Sequence, residues 1–320
     1  MISLPTSPYF TLHQLAEGVY AAIAKVGSPA FSNAGLIDTG MHTLIFDTFN
    51  TPSPAEDLRR AAEILTGRTA DFVIISHAHS DHWMGNQVFA EYASILTTPK
   101  NQSAMTEWGE YFKELKRNPE EFETQIREIE KHWSEAQHKQ LRDHLAWTRV
   151  IERHEYEQLR TIRPQLPDQT FDGQVVFHGP DRHVKIYSAG AGHTASDVVL
   201  VLPDESIAFI GDLGFFQTHP YLGSSTPEKW IATLDELAAS EISTFVPGHG
   251  PLGTREDLLI LKEYILALQA LVADVVARGG SEAEALAQPM PKFSENWAGF
   301  GRFERSLRFL YHQSVEGIMP

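Results

Sequence analysis

Histidine and aspartate residues are concentrated in a few short motifs that follow one another along the chain. The densest motif reads His77-Ala78-His79-Ser80-Asp81-His82, and single members follow at His193, Asp212 and His249, each beside a glycine. Together they offer five imidazoles and two carboxylates, which are ligands that zinc and similar dications accept. Such a dense polar motif is poor core material. The set predicts two metal ions side by side, with metal-activated water and hydrolysis as the chemistry.

Spacing along the chain divides the ligands between the two ions. The first two histidines of the dense motif are two residues apart at a predicted strand end, where both rings can point the same way. A third imidazole completes a set of three nitrogens for one ion. The members of this first set are His77, His79 and His193. The members of the second set are Asp81, His82 and His249.

Asp212 is expected to bridge the two ions, because a carboxylate has two oxygens and carries the negative charge that two dications need. A hydroxide between the ions is the expected nucleophile, since binding to metal lowers the pKa of water from about 15.7 towards about 7. Asp81 and Asp212 are therefore the predicted catalytic residues. We expect two Zn²⁺ ions, with Mn or Fe as alternatives that the same ligands accept.

Three further residues are candidates for supporting roles. Asp47 ends an apolar run, and it either hydrogen-bonds a ligand histidine or caps a turn. His219 and Tyr221 follow Asp212 closely, and either can bind the substrate by hydrogen-bonding a developing oxyanion. Packing in the interior is the alternative for both, because Tyr and His are often half-buried.

Short strands and several helices are predicted to position these residues. Apolar runs predict strands at 18–26, 34–38, 42–47, 71–76, 174–177, 184–188, 198–202, 207–210 and 243–246. Helical patterns are found at 54–65, 226–239, 255–278 and 300–315. The first of these helices has Ser53 as its predicted N-cap. The dense motif then follows a strand directly, and Asp212 and His249 are expected in loops beyond strand ends.

Residues 100–165 differ from the rest of the chain, because they are highly charged and nearly free of Gly and Pro. Apolar residues at helical spacing predict two or three helices with a break at Asn118-Pro119. We expect one domain over residues 1–320, with this helical insertion and with C-terminal helices at 253–320. The insertion is predicted to be either a lid over the metals or a scaffold or dimer surface. The aromatic residues expected to touch substrate in a lid are Trp108, Tyr111, Phe112 and Trp147.

Composition restricts the classes of partner. The formal net charge of −16 argues against a nucleic-acid partner, because a phosphate backbone repels an acidic surface. The chain has no cysteine, so disulfides and thiolate ligands are excluded. Residues 1–18 lack a signal-peptide pattern, and no apolar run reaches the roughly 20 residues that cross a bilayer. The default expectation is a cytoplasmic protein without a membrane partner.

The motifs resemble those of the metallo-β-lactamase superfamily. The HxHxDH signature, a Gly-His-Thr, a Gly-Asp and a Pro-Gly-His-Gly occur in that family's order over about residues 18–252. The resemblance implies an α+β fold, a four-layer αββα sandwich of two β-sheets with the metals at one edge. It implies the same roles for the seven ligands. It also implies a supporting role for Asp197, outside the ligand set, as the aspartate of the family's GHTxGD motif. Ser196 stands where that motif has glycine.

Within the superfamily, the bridging Asp212 makes the chain resemble the branch of glyoxalase II-type hydrolases and quinoprotein-associated zinc hydrolases. True β-lactamases usually lack that aspartate. His79 stands where the diiron flavoprotein branch has glutamate. The predicted function is a dinuclear zinc-dependent hydrolase that uses a metal-bridging hydroxide on a small ester, thioester, lactone or amide. The alternatives are a phosphodiesterase or nuclease on the same site, or an iron-binding redox protein without hydrolase activity. The expected partner is a small-molecule substrate, and a homodimer is the candidate assembly.

Overall fold

Two β-sheets form the centre of the computed structural model, which describes residues 3–135, 139–158 and 160–316. In the first sheet the strands are β1 (Phe10–Ala16), β2 (Val19–Ala24), β3 (Ala34–Asp38), β4 (Thr43–Phe46), β5 (Phe72–Ile74), β6 (Ser94–Thr97) and β7 (Gln169–Thr170). In the second sheet they are β8 (Gln174–His178), β9 (His183–Gly190), β10 (Asp197–Leu202), β11 (Ile207–Phe215) and β12 (Thr244–His249). Within the described residues the strand order is sequential in the first sheet and β12-β11-β10-β9-β8 in the second.

Helices flank the sheets and form the C-terminal part of the chain. They are α1 (Pro52–Thr66), α2 (Pro99–Arg117), α3 (Pro119–Glu135), α4 (Lys139–Gln158), α5 (Pro227–Ala239), α6 (Arg255–Ala277), α7 (Glu282–Leu286) and α8 (Phe300–Glu316). Among the described helices, none combines the length and the apolar character needed to cross a membrane.

Parallel pairing brings the ligand-bearing segments to common edges. Strands β4 and β5 pair in parallel, so the residues that follow their carboxyl ends lie side by side. Strands β11 and β12 also pair in parallel, which does the same in the second sheet. The remaining pairs of the second sheet are antiparallel. Each sheet therefore presents one edge at which side chains from two segments meet.

Alternating side chains explain how the sheets stack. In β4, Leu44 and Phe46 pack between the two sheets, whereas Ile45 packs with α1 and α2 on the other face, as the period of two in a strand requires. In β10, Leu200 lies between the sheets and Val199 packs against the helices of the second sheet, including α5, α6 and α8. The layers are helix, sheet, sheet and helix, so the predicted αββα sandwich of the α+β class is confirmed.

Three helices, α2 to α4, occupy most of the segment 100–165, as the helical spacing predicts. Helix α2 ends at its C-cap Asn118 and α3 begins at Pro119, because proline cannot continue a helix that would need its N–H. The predicted start of α1 is wrong. Its N-cap is Thr51 rather than Ser53, since Pro52 already fits the first helical position, where a fixed φ and a missing N–H cost nothing.

Candidate metal centre

All seven predicted ligands lie together where the two sheets meet. One group consists of His77, His79, His193 and Asp212, and the other consists of Asp81, His82 and His249. Within each group the ligand atoms all lie within 4.8 Å of one another. Both groups combine residues that follow β5 with residues from the second sheet, so the centre requires the complete sandwich.

The dense motif separates into two pairs because the backbone turns after its first half. Strand β5 ends at Ile74, and one turn of 3₁₀ helix covers Ser80–His82. The His82 N–H donates to the His79 carbonyl oxygen at 3.1 Å, which closes this turn. The turn directs Asp81 and His82 to the second group, while His77 and His79 belong to the first.

Asp212 and His249 lie in strands rather than in the predicted loops. Strand β11 continues to Phe215 and β12 ends at His249, because the two strands stay paired through register shifts on either side of Gly211. Gly211 has φ +50°, which favours glycine. A Cβ on Gly248 would lie 1.9 Å from Asp212 Oδ1, so glycine there makes room for the carboxylate.

The two oxygens of Asp212 face different halves of the centre. Its Oδ2 lies 3.6 Å from His77 Nε2 and 3.2 Å from His193 Nε2. Its Oδ1 lies 3.1 Å from His82 Nε2 and 3.5 Å from His249 Nε2. Ligands bound to a tetrahedral zinc at about 2.0 to 2.1 Å are separated by roughly 3.3 Å. The spacing therefore suits one ion on each side of the carboxylate.

The other ligand atoms show the same spacing. His79 Nδ1 lies 3.1 Å from His77 Nε2 and 3.0 Å from His193 Nε2, and Asp81 Oδ2 lies 3.2 Å from His249 Nε2.

Two buried atoms of the centre test whether metal ions fit. His82 Nε2 and Asp212 Oδ1 have no hydrogen-bond partner within the described part of the chain, although they are 3.1 Å apart. A buried polar atom without a partner is costly, and coordination to a dication satisfies both. The ligand set thus fits two dications that prefer nitrogen and oxygen.

Asp47 orients the ligands on the β5 side. Its Oδ1 accepts the Ser76 N–H at 2.7 Å, and its Oδ2 accepts the Ser76 hydroxyl at 2.7 Å and His82 Nδ1 at 2.7 Å. The Ser76 hydroxyl also pairs with His77 Nδ1 at 2.9 Å. Asp47 therefore contacts a ligand histidine directly, which is one of its two predicted roles, and leaves His82 Nε2 facing the centre.

Residues from distant segments orient two other ligands. His249 Nδ1 donates to the Phe31 carbonyl oxygen at 3.1 Å, and His79 Nε2 pairs with the Ser224 hydroxyl at 3.0 Å. Each contact occupies the ring nitrogen that points away from the centre, which fixes the ring orientation. Sequence reasoning missed Phe31 and Ser224, because neither a main-chain carbonyl nor an isolated serine has a recognisable pattern.

Burial and neighbouring charges set the ionisation of the ligands. Burial, together with the neighbouring His193, lowers the pKa of His79 to about 3, so this imidazole is neutral, as metal binding requires. Burial opposes the ionised form of Asp212, but the surrounding imidazoles, led by His249 and His82, hold its pKa well below the ordinary value. The bridging candidate is therefore a carboxylate at neutral pH.

A cleft opens beside the centre. A cavity of about 440 Å³ is lined by His79, Asp212, Tyr221 and Ser224, among others. A second cavity of about 340 Å³ extends towards α3 and α4. The residues that line both cavities are Phe31, Ser80, Asp81, Trp108, Arg302 and Arg305. The two cavities therefore form one cleft with the candidate metal centre at one end.

The two predicted substrate contacts lie in different surroundings. Tyr221 lines the cleft, and its ring centroid is 6.0 Å from that of His79. His219 is 1% exposed and does not line the cleft in the described structure. Its Nδ1 lies 2.7 Å from the Tyr264 hydroxyl, and its ring packs near Trp297. For His219 the observed arrangement matches the packing alternative, since its position in sequence carries no information on the direction of its side chain.

Asp197 acts on the loop that carries His193. Its carboxylate accepts the Thr194 N–H at 3.1 Å and the Thr194 hydroxyl at 2.8 Å, so it stabilises the backbone next to the ligand. Ser196 is buried, and its hydroxyl pairs with Thr98 Oγ1 at 2.8 Å. This contact satisfies the serine hydroxyl where the family pattern has glycine.

The helical segment forms one wall of the cleft. Trp108, Tyr111 and Phe112 of α2 line it, whereas the side chain of Trp147 lies outside the described residues. On α4, Glu155 accepts a hydrogen bond from Asn50. Burial, with the nearby Glu152, raises the pKa of Glu155 to about 8, so its carboxyl is largely protonated at pH 7.

The fold and this cluster define a class: proteins with an αββα sandwich that bind metal between two sheets. The chain belongs to the metallo-beta-lactamase superfamily, because the sequence model of that family matches residues 27–249. Comparison with curated proteins gives no significant match.

Solved structures show the same fold. A metallo-beta-lactamase from Pontibacter korlensis is 17% identical with a TM-score of 0.57, and the match covers 80% of this chain and 99% of that one. A metallo beta lactamase from Erythrobacter litoralis, which has beta mercaptoethanol in its active site, is 16% identical with a TM-score of 0.55, and the match covers 82% of this chain and 98% of that one. At these identities the likeness concerns the fold.

Proposed function

We infer that the protein is a dinuclear zinc-dependent hydrolase of a small ester, thioester, lactone or amide. The observation that carries this proposal is the orientation of Asp212, whose two oxygens face the two ligand groups. Bound in these groups, two dications supply an activated hydroxide and polarise the substrate carbonyl. A small molecule is the expected substrate because the cavity beside the centre measures about 440 Å³.

The chain's own residues have distinct roles in this proposal. Asp212 keeps the two ligand groups at a fixed separation, and Asp47 keeps His82 in the orientation that faces the centre. Asp81 belongs to the second group and also lines the cleft, so its carboxylate would hold the second dication next to the bound substrate. Tyr221 lines the cleft and donates a hydrogen bond to a developing oxyanion. His219 has no such role, because it packs beside Tyr264.

A phosphodiesterase on the same centre is the second candidate. The observation that favours it is the pair Arg302 and Arg305 in the cleft, since guanidinium groups bind phosphate well. The net charge of −16 favours the ester, thioester, lactone or amide over a nucleic acid or other polyanion, because an acidic protein repels a polyanion.

A substrate panel on zinc-reconstituted protein tests this order. We expect about two zinc ions per chain and turnover of para-nitrophenyl esters, thioesters or lactones that a chelator abolishes and zinc restores. The turnover of bis(para-nitrophenyl) phosphate is expected to be much lower. Phosphodiesterase activity that exceeds esterase activity would reverse the order of the two candidates. Iron in protein purified without added metal, with oxygen consumption and no hydrolysis, would exclude both.

The helical segment 100–165 serves as a lid over this centre, and Trp108 contacts the substrate. Replacing Trp108 with alanine is expected to raise KM for aryl esters roughly fivefold while leaving kcat nearly unchanged, because the lost ring contributes binding rather than chemistry. Steady-state kinetics measure both constants. Trp133→Ala is the matched control, since Trp133 of α3 stacks with Arg149 and does not line the cleft. Equal KM values for the two variants would contradict the lid.

A further inference from the structure

A buried guanidinium faces the cleft from the C-terminal helix. Arg302 of α8 is 9% exposed and lines both cavities. Its Cζ lies 5.1 Å from the ring centroid of Phe31 and 5.4 Å from that of Phe215. Contacts of this kind hold an arginine in place and exclude water from its faces. The charge of Arg302 is therefore presented in a fixed position next to the candidate metal centre.

Two carboxyl groups of α4, Glu152 and Glu155, line the same cleft. Glu152 of α4 is attracted by Arg305, and Glu155 accepts a hydrogen bond from Asn50 and is largely protonated at pH 7.

Asp81 and Asp212 attract the Arg302 guanidinium, and both belong to the candidate metal centre. Dications bound there cancel the negative charge of these two groups. With its metals in place, this end of the cleft is positive.

We propose that Arg302 determines substrate specificity by binding a single anionic group, a carboxylate or sulfonate, on the substrate next to the bond that is hydrolysed. The proposal rests on the proposed function because it concerns the same cleft. One anionic group fits better than a polyanion, because Glu152 lies farther along the cleft and the chain carries a net charge of −16. Charge-assisted hydrogen bonds from a buried guanidinium discriminate strongly between an anion and its neutral analogue.

The test compares two ligands of similar shape on zinc-loaded protein by isothermal titration calorimetry. Benzenesulfonate carries the charge and is a weak metal ligand, whereas methyl phenyl sulfone is neutral. Wild type is expected to bind benzenesulfonate at least about tenfold more tightly than the sulfone, and Arg302→Met is expected to lose this preference. Arg308→Met is the matched control, because Arg308 lies on the same helix, pairs with Glu282 and does not line the cleft.

Two further variants separate binding from a structural role of Arg302. Arg302→Lys keeps the positive charge and is expected to retain part of the preference. Arg302→Gln removes the charge but keeps polar contacts, and it carries the same test if Arg302→Met does not fold or does not hold zinc. Equal binding of the two ligands by wild type, or a preference that persists without the charge at position 302, overturns the proposal.

The failure of this proposal is distinguishable from failure of the proposed function. Ester hydrolysis by wild type supports the proposed function whether or not Arg302 selects anions. The calorimetric preference, in turn, can be measured without turnover. As a kinetic counterpart, mono-para-nitrophenyl succinate is expected to show a higher kcat/KM than para-nitrophenyl butyrate in wild type, by about tenfold, and no advantage in Arg302→Met.

Discussion

Replacing Asp212 with alanine is expected to lower kcat by at least about 100-fold and to reduce bound zinc from about two ions per chain to one or fewer. Even residues that only orient a metal ligand change affinity or activity by roughly 10- to 100-fold, and Asp212 faces both ligand groups through its two oxygens. Steady-state kinetics and elemental analysis of the same preparations measure the two effects.

Two variants complete the Asp212 experiment. Asp204→Ala is the control, because Asp204 is an exposed acid in the turn before β11 and should behave like wild type. Asp212→Asn keeps the shape but not the charge, so we expect an activity between those of wild type and Asp212→Ala. Wild-type turnover with two bound zinc ions in Asp212→Ala would refute the bridging role.

Replacing Asp47 with alanine is expected to weaken zinc binding about 10- to 100-fold and to lower the free energy of unfolding of the metal-free protein by at least ~2 kcal/mol. The carboxylate accepts the N–H and hydroxyl of Ser76 as well as His82 Nδ1. Its loss leaves buried donors without partners. Chelator competition measures the affinity, and urea unfolding in excess chelator measures the stability.

Backbone conformation is a separate contribution at this position. Asp47 has φ +60°, a conformation that aspartate and asparagine tolerate better than alanine. Asp47→Asn therefore keeps the backbone preference while weakening the contact with His82, and we expect it to lose zinc affinity with a smaller loss of stability. Unchanged zinc affinity in both variants would show that Asp47 does not orient His82.

The side chains of the candidate metal centre were predictable because their chemistry is concentrated in short motifs. Three imidazoles and a carboxylate within residues 77–82 are costly to bury unless they bind metal, and glycine marks the positions near Asp212 and His249. What could not be predicted depends on contacts between distant segments. The orienting roles of Phe31 and Ser224 are of this kind, since any residue has a carbonyl and serine is common on protein surfaces.

The direction in which a side chain points could not be predicted from its position in the sequence. His219 and Tyr221 are two residues apart after β11, yet one packs beside Tyr264 and the other lines the cleft. Arg302 had no signal either, because an arginine on an amphipathic helix usually lies in solvent. Its burial depends on how α8 packs over the second sheet, which is a tertiary property.

Most strands of the two sheets fall on predicted apolar runs, whereas β1, β6 and β7 were missed. The runs that became β3 and β4 are almost entirely buried and therefore continuously apolar. Strand β1 has a mixed pattern with exposed positions, and β7 consists of two exposed residues beside β6. These strands depend on pairing with their neighbours in the sheet, so local sequence did not reveal them.

The distribution of ligands over both sheets constrains the order in which the protein folds. Each metal group combines residues after β5 with residues that come more than a hundred positions later in the chain. A site of this kind cannot form locally, so metal cannot nucleate folding. Ions held by these groups would bind fully only after the two sheets have docked, and they would then act as a late cross-link between the halves of the sandwich. Metal supply should therefore affect the unfolding rate of the protein far more than its folding rate.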